Sequence, residues 1–292
     1  LRSPPAHSRS CGSAASPDIV DAISIRSALE QSGLVPVDAR VLLAHVLARD
    51  RAWLIAHGTD ALSREDADAF FKLAKRRRDG EPVAYLTGRR EFWGLDVAVT
   101  PDVLIPRPET ESLVEAALAR LPSNRPLRVL DLGTGSGAIA LAIASERPQA
   151  KVLATDKSQA ALEVAHANAQ RLRLSNVSFA NADWYEGVLA QPFELIACNP
   201  PYVAEGDAHL GEGDLRFEPP VALTIGGDGL AALRIVVGGA AARLAEGGSL
   251  VVEHGHDQSE SVQQLFAVHG FKDIQPLRDM AGIRRIVAGK RQ

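Results

Sequence analysis

Between Asp18 and Gly88 the apolar positions fall at helical spacing: Ile19, Ile23, Leu29 and Leu34, then Val41, Leu42, Val46 and Leu47. Stripes of this period bury one face of a helix and leave the other to water, so the stretch predicts a small all-helical domain. Gly33 and Gly58 are expected helix stops. Ser63 and Asp66 have the spacing of a capping box opening the helix that carries Phe70, Phe71 and Leu73. That helix ends on Lys75-Arg76-Arg77-Arg78, which suits the negative end of a helix dipole and reads as a solvated face rather than an RNA contact.

Glu91 to Thr100 mixes aromatic and β-branched residues around Gly94 and predicts a β-hairpin. Val103 to Pro108 is stiffened by two prolines and leads into a helix expected from Glu109 to Leu121. After Pro126 the period alternates between short apolar runs and helical stripes. Strands are predicted over 128–132, 151–155, 177–180, 193–198 and 249–252, with helices from Gly137, from Ser158, over 230–244 and over 262–268. Two further strands, 271–276 and 282–287, are joined too closely for a parallel crossover and must pair antiparallel. The pattern is that of an α/β sheet, mostly parallel, with one antiparallel strand. The expected organisation is an extension over 1–17, a helical domain over 18–88, a hairpin and linker over 89–108, and an α/β domain over 109–292.

Residues 1–17 are rich in Ser, Pro and Ala, contain no acidic residue and lack periodicity, so they read as disordered. A net charge of -4 argues against nonspecific nucleic-acid binding as the main task. No apolar run reaches the roughly 18 residues of a membrane span, and a cytoplasmic location is expected. Cys11 and Cys198 are the only cysteines, too few for a disulfide framework or a zinc site, so no metal is expected.

The chemistry concentrates in two places. Val129 to Gly137 is a strand running into the loop Gly133-Thr134-Gly135-Ser136-Gly137, whose glycines let backbone approach a ligand. Asp156, at the end of the next strand, can accept from both hydroxyls of a ribose. The loop departs from the spacing that seats a pyrophosphate, which disfavours a dinucleotide. Asp183 and Trp184 follow the third strand; the acid can reach an adenine amino group, and the indole can pack on the ring or belong to the core. The second place is Asn199-Pro200-Pro201-Tyr202 after the fourth strand. A diproline between an amide and an aromatic ring presents acceptors to a planar NH2 group, because proline carbonyls carry no competing donor.

Residues 131–137, Asp156 and 199–202 resemble those of the class I S-adenosylmethionine-dependent methyltransferases, whose sheet is Rossmann-like. With the helical front, Glu91 to Leu95 and Leu104 to Glu111, the chain is similar to the HemK/PrmC family over nearly everything after Asp18. The resemblance implies methylation of the side-chain nitrogen (N5) of the glutamine in the Gly-Gly-Gln loop of class I peptide chain release factors, S-adenosylmethionine becoming S-adenosylhomocysteine. It implies cofactor contacts from Gly133 through Gly137, Asp156, Asp183, Trp184 and Asn199. It implies a substrate slot made by Asn199, Pro200, Pro201 and Tyr202, with Asn199 and Pro200 carrying the catalysis and residues 18–88 serving recognition.

Glutamine methylation of a ribosomal protein and adenine-N6 methylation of nucleic acid use a similar tetrad and stand as alternatives. The second needs a basic, aromatic recognition region, and aromatic residues make up only 5% of this chain. Cys198 is expected to be inert. Phe217-Glu218-Pro219 and Gly226 to Gly229 are expected to shape the rim. Glu253 is expected at a strand end and His254 and His256 in a solvated loop, none of them with a catalytic part.

Overall fold

A computed structural model describes residues 23–188 and 191–292. The expected extension over 1–17, Cys11 and Ile19 lie outside the described residues. Residues 23–79 and 80–292 form two compact units.

In the first unit α1 (Ile25–Gln31), α2 (Pro36–Leu47), α3 (Arg51–Ala56) and α4 (Arg64–Arg78) pack around Leu42, Leu43, Phe70 and Ala74. Each start has a local cause. Ser24, Asp50 and Ser63 accept the N–H groups of Ser27, Trp53 and Asp66, and Pro36 opens α2 where its missing N–H costs nothing. Gly33 follows the end of α1 at φ +67°, a conformation that favours glycine. The basic end of α4 does more than face water. Arg77 Nε donates to Asp38 Oδ2 at 2.7 Å, and Arg78 donates to the Ser32 carbonyl, tying α4 to α2 and to the end of α1.

The second unit opens with α5 (Val83–Thr87) and a hairpin of β1 (Arg89–Phe92) and β2 (Leu95–Ala98). Phe92 and Val97 are buried in the same core as the sheet that follows. A 3-10 turn over Pro108–Thr110 leads into α6 (Glu111–Leu118), shorter than the helix expected to Leu121. Then come β3 (Arg128–Leu132), α7 (Ala138–Glu146), β4 (Lys151–Asp156), α8 (Gln159–Arg171), β5 (Val177–Asn181) and β6 (Phe193–Cys198). After two 3-10 turns follow α9 (Pro220–Leu223), α10 (Ala231–Ala240), β7 (Leu244–Glu253), α11 (Ser259–Val268), β8 (Lys272–Arg278) and β9 (Arg284–Lys290).

The strand order is β5-β4-β3-β6-β7-β9-β8, all parallel except β9, which pairs antiparallel with both its neighbours. Both faces are covered, and the two-residue period of the strands divides the core. Val129, Leu195, Ala197 and Val251 face α6 and α7, while Leu130, Leu132, Ile196, Cys198 and Val252 face α10 and α11. β7 starts five residues before the predicted Ser249. Its pairing with β6 jumps from Phe193↔Leu244 to Leu195↔Ser249, so Gly247 and Gly248 form a bulge inside a strand. A Cβ on Gly248 would sit 2.9 Å from the carbonyl oxygens of Ala245 and Phe193, which is why only glycine fits there.

β3 has β4 on one side and β6 on the other, so successive crossovers leave it in opposite directions. This switch point opens a crevice at the carboxyl ends of the strands, the place where such sheets bind ligands.

Candidate active site

The ends of β3, β4, β5 and β6 deliver every sequence-predicted site residue to that one edge. Backbone bonds lock these ends together: Thr134 N–H donates to the Thr155 carbonyl at 2.9 Å, and Ala182 N–H to the Asp156 carbonyl at 3.1 Å. Gly133 and Gly135 hold φ of +68° and +55°, and a Cβ on either would meet no atom within 4 Å. The loop therefore turns a bare backbone toward open space, as a cradle for a ligand requires. Gly137 has a different reason to be glycine, since its Cβ would press on Ala165 and Leu141 at 3.1 Å.

Asp156 is half-buried. Its Oδ2 accepts from Gly135 N–H and its Oδ1 from Ser158 N–H, both at 2.9 Å. Each oxygen keeps a second lone pair, so the carboxylate ties down the loop and still has acceptors for two hydroxyls. Asp183 bonds Lys157 Nζ at 2.6 Å on the surface. Trp184 packs against the core beneath α10 and α11 while remaining partly exposed, at a left-handed φ of +54° that a large side chain seldom adopts. The core role weighed for it from sequence is thus one that it fills.

Under the loop Asp131 is fully buried, its Oδ2 accepting from Thr134 Oγ1 at 2.6 Å and its Oδ1 unpaired. Burial raises its pKa to about 7 against the hydrogen bond from Thr134 and the polar backbone at Ala140. Asn168, completely buried on α8, accepts from Ala98 N–H and donates to the Ala98 and Ser136 carbonyls. It clamps the hairpin to the glycine loop. Sequence reasoning passed over Asn168; a polar residue within the apolar stripe Leu162, Ala165, Ala169 was the available signal.

Asn199 to Tyr202 leave β6 directly. Asn199 Nδ2 donates to Thr110 Oγ1 at 3.2 Å, and no described residue donates to Asn199 Oδ1 or to the Pro200 carbonyl. The Tyr202 carbonyl is different, held by Gln258 Nε2 at 3.0 Å. A Cβ on Gly229 would lie 2.5 Å from that carbonyl, so the Gly226 to Gly229 segment closes against the tetrad. Glu218 pairs with Arg107 at 2.6 Å and is itself buried, which joins the proline-rich linker to the loop expected at the rim. Cys198 is buried, and burial with nearby carboxylates holds its thiol well above its ordinary pKa, so it is a poor nucleophile.

Glu253 stands at the end of β7 as expected, and the expectation of a solvated His254 is corrected. They are 1% and 0% exposed, because β7 carries Glu253 inside the sheet and the His254 N–H bonds the Arg285 carbonyl beside β9. Only His256 is exposed. Glu253 Oε1 accepts from the Tyr202 hydroxyl at 3.0 Å. Burial raises the Glu253 pKa to about 7, opposed by the neighbouring Thr110 and Tyr202 hydroxyls and by the charge of Arg285. Burial lowers that of His254.

Residues 23–88 match the family described as the PrmC N-terminal domain, and residues 111–213 the methyltransferase small domain. A release factor glutamine methyltransferase of Xylella fastidiosa (strain Temecula1) is 54% identical over 87% of this chain and 92% of its own length. That of Bordetella pertussis is 53% identical over 91% and 98%, and that of Escherichia coli K12 46% identical over 87% and 91%. A solved methyltransferase from Pyrococcus furiosus shares the fold, with a TM-score of 0.52 over 74% of this chain and 96% of that one at 18% identity. Near-complete coverage of relatives at this identity leaves one assignment: the chain is an enzyme of the release factor glutamine methyltransferase family.

Proposed function

We infer that this protein transfers the methyl group of S-adenosylmethionine to the side-chain amide nitrogen of the glutamine in the Gly-Gly-Gln loop of class I peptide chain release factors. The observation that carries the reading is the pair of acceptors at the end of β6, Asn199 Oδ1 and the Pro200 carbonyl, next to a glycine cradle with an acidic partner.

The donor fits the residues present. The space beside Gly133 and Gly135 has no Cβ to fill it, and Asp156 retains acceptors for two ribose hydroxyls. Gly133 through Gly137 and Asp156 would hold the cofactor, with Asp183, Trp184 and Asn199 completing its site. When bound, S-adenosylmethionine supplies a methyl group on a sulfonium, a leaving group that departs as a neutral thioether.

The rest belongs to the chain. An amide nitrogen is a weak nucleophile because its lone pair is shared with the carbonyl. Asn199 Oδ1 and the Pro200 carbonyl accept hydrogen bonds from its two N–H groups, fix its plane and direct the lone pair, and the nitrogen sheds one of those protons to solvent as the new C–N bond forms. Pro200 and Pro201 hold those acceptors rigidly, and Tyr202 walls the slot. Preorganised polar groups of this kind contribute about 3 to 4 kcal/mol to a transition state.

The test is transfer of labelled methyl from S-adenosylmethionine to a release factor, to the same factor with its loop glutamine changed to alanine, to ribosomal protein and to duplex DNA. Label on the intact factor alone is the expected result. Label on DNA or ribosomal protein with none on the intact factor overturns the reading.

A further inference from the structure

Asn199 is useful as a clamp only if its oxygen, and not its NH2, faces the substrate. A primary amide is nearly symmetric in shape, so packing alone does not choose between the two orientations. Something must supply polarity, and the residues around Asn199 do so.

Asn199 Nδ2 donates to Thr110 Oγ1 at 3.2 Å. Thr110 is 4% exposed and Glu253 1%, so neither has bulk water as an alternative partner. A threonine hydroxyl has one hydrogen and two lone pairs. Thr110 also faces the Glu253 carboxyl and stabilises its charged form. Glu253 Oε1 already takes the Tyr202 hydroxyl hydrogen at 3.0 Å, while its Oε2 is buried with no full hydrogen bond of its own. An orphaned carboxylate oxygen is the strongest acceptor within reach of the Thr110 hydrogen, because leaving it unpaired in the interior is costly. With Glu253 ionised and that hydrogen committed, Thr110 can only accept from Asn199, and Asn199 must present Nδ2 inward and Oδ1 to the slot.

We propose that Thr110 and Glu253 are positioning residues that impose this orientation on the Asn199 amide through a directed chain of hydrogen bonds. The same carboxylate anchors Tyr202, so one buried acid sets both ends of the tetrad. Three separate parts of the fold meet here: the 3-10 turn before α6, the exit of β6 and the end of β7. The proposal rests on the reading of Asn199 as the amide clamp.

The experiment measures kcat and KM with saturating S-adenosylmethionine for Thr110→Val, Thr110→Ser, Glu253→Gln and Asn199→Ala, each also as a double variant with Asn199→Ala. Thr110→Val should lower kcat 10- to 100-fold with KM for the release factor within about threefold, and Thr110→Ser, which keeps the hydroxyl, should restore it. Glu253→Gln, able to donate to Thr110 and reverse the chain, should also lower kcat. Neither change should matter further once Asn199 is alanine. If Asn199→Ala is inactive while Thr110→Val and Glu253→Gln keep full kcat, this proposal fails and the clamp stands. If Asn199→Ala is fully active, the clamp itself fails. Should either variant not fold, neutron diffraction of the unaltered protein decides: Asn199 deuterons directed at Thr110 agree with the proposal, and Oδ1 facing Thr110 overturns it.

Discussion

One carboxylate, that of Asp156, holds the glycine loop in shape and, in the proposed function, offers the acceptors for a ribose. Removing it costs both, so Asp156→Ala should weaken S-adenosylmethionine binding by about 1 to 3 kcal/mol for the lost charged hydrogen bonds. Isothermal calorimetry reads this directly, and an affinity equal to the parent's rejects the role. Asp156 was legible in the sequence because strand, loop, helix and acid stand at a spacing that few other sites require. Glu253 was legible only in part: its place at a strand end was, while its burial comes from the pairing of β7 with β9, which puts it inside the sheet. Thr110 stood in plain view in a stretch read as stiff and polar, yet its value comes from Asn199, 89 positions away. Arg77 and Arg78 teach the same lesson, since their partners on other elements do not show in a one-dimensional charge run.

Elements were easier to read than residues, since hydrophobic period survives in the chain while partners do not. The central strands β3 and β6 are mostly apolar because both faces are covered. β7 begins before the expected Ser249 because the strand runs through Gly247 and Gly248 as a bulge. Asn168 shows how elements are joined across the site: three hydrogen bonds from one buried amide fasten β2 and the loop before α7 to α8. Asn168→Ala leaves the groups at Ala98 and Ser136 unpaired and opens a small void. It should cost about 2 to 3 kcal/mol of stability and loosen the loop, weakening cofactor binding as well. Chemical denaturation with calorimetry checks both, and a loss under about 0.5 kcal/mol refutes the clamp.

At the scale of the whole molecule, two buried acids, Asp131 and Glu253, titrate near pH 7 in the folded chain. Unfolded, they titrate near 4. The folded state therefore binds their protons more tightly, and stability falls as pH rises from about 4 to about 7, then levels off. Denaturant midpoints at pH 5 and pH 8 should differ less for Asp131→Asn and Glu253→Gln than for the unaltered protein. An equal difference in all three would contradict the assignment. The cost of burying these acids falls at the carboxyl edge of the sheet, where Asp131 bonds Thr134 of the glycine loop and Glu253 bonds Tyr202 of the tetrad. No described helix is long and apolar enough to cross a membrane.

The claim on which the account turns is that Asn199 activates a substrate amide by gripping its N–H bonds. Single-turnover methyl transfer to a release factor at saturating S-adenosylmethionine, comparing the unaltered protein with Asn199→Ala, isolates that step. The account predicts that the variant folds normally and transfers methyl about 100- to 1,000-fold more slowly. An unchanged transfer rate would contradict it.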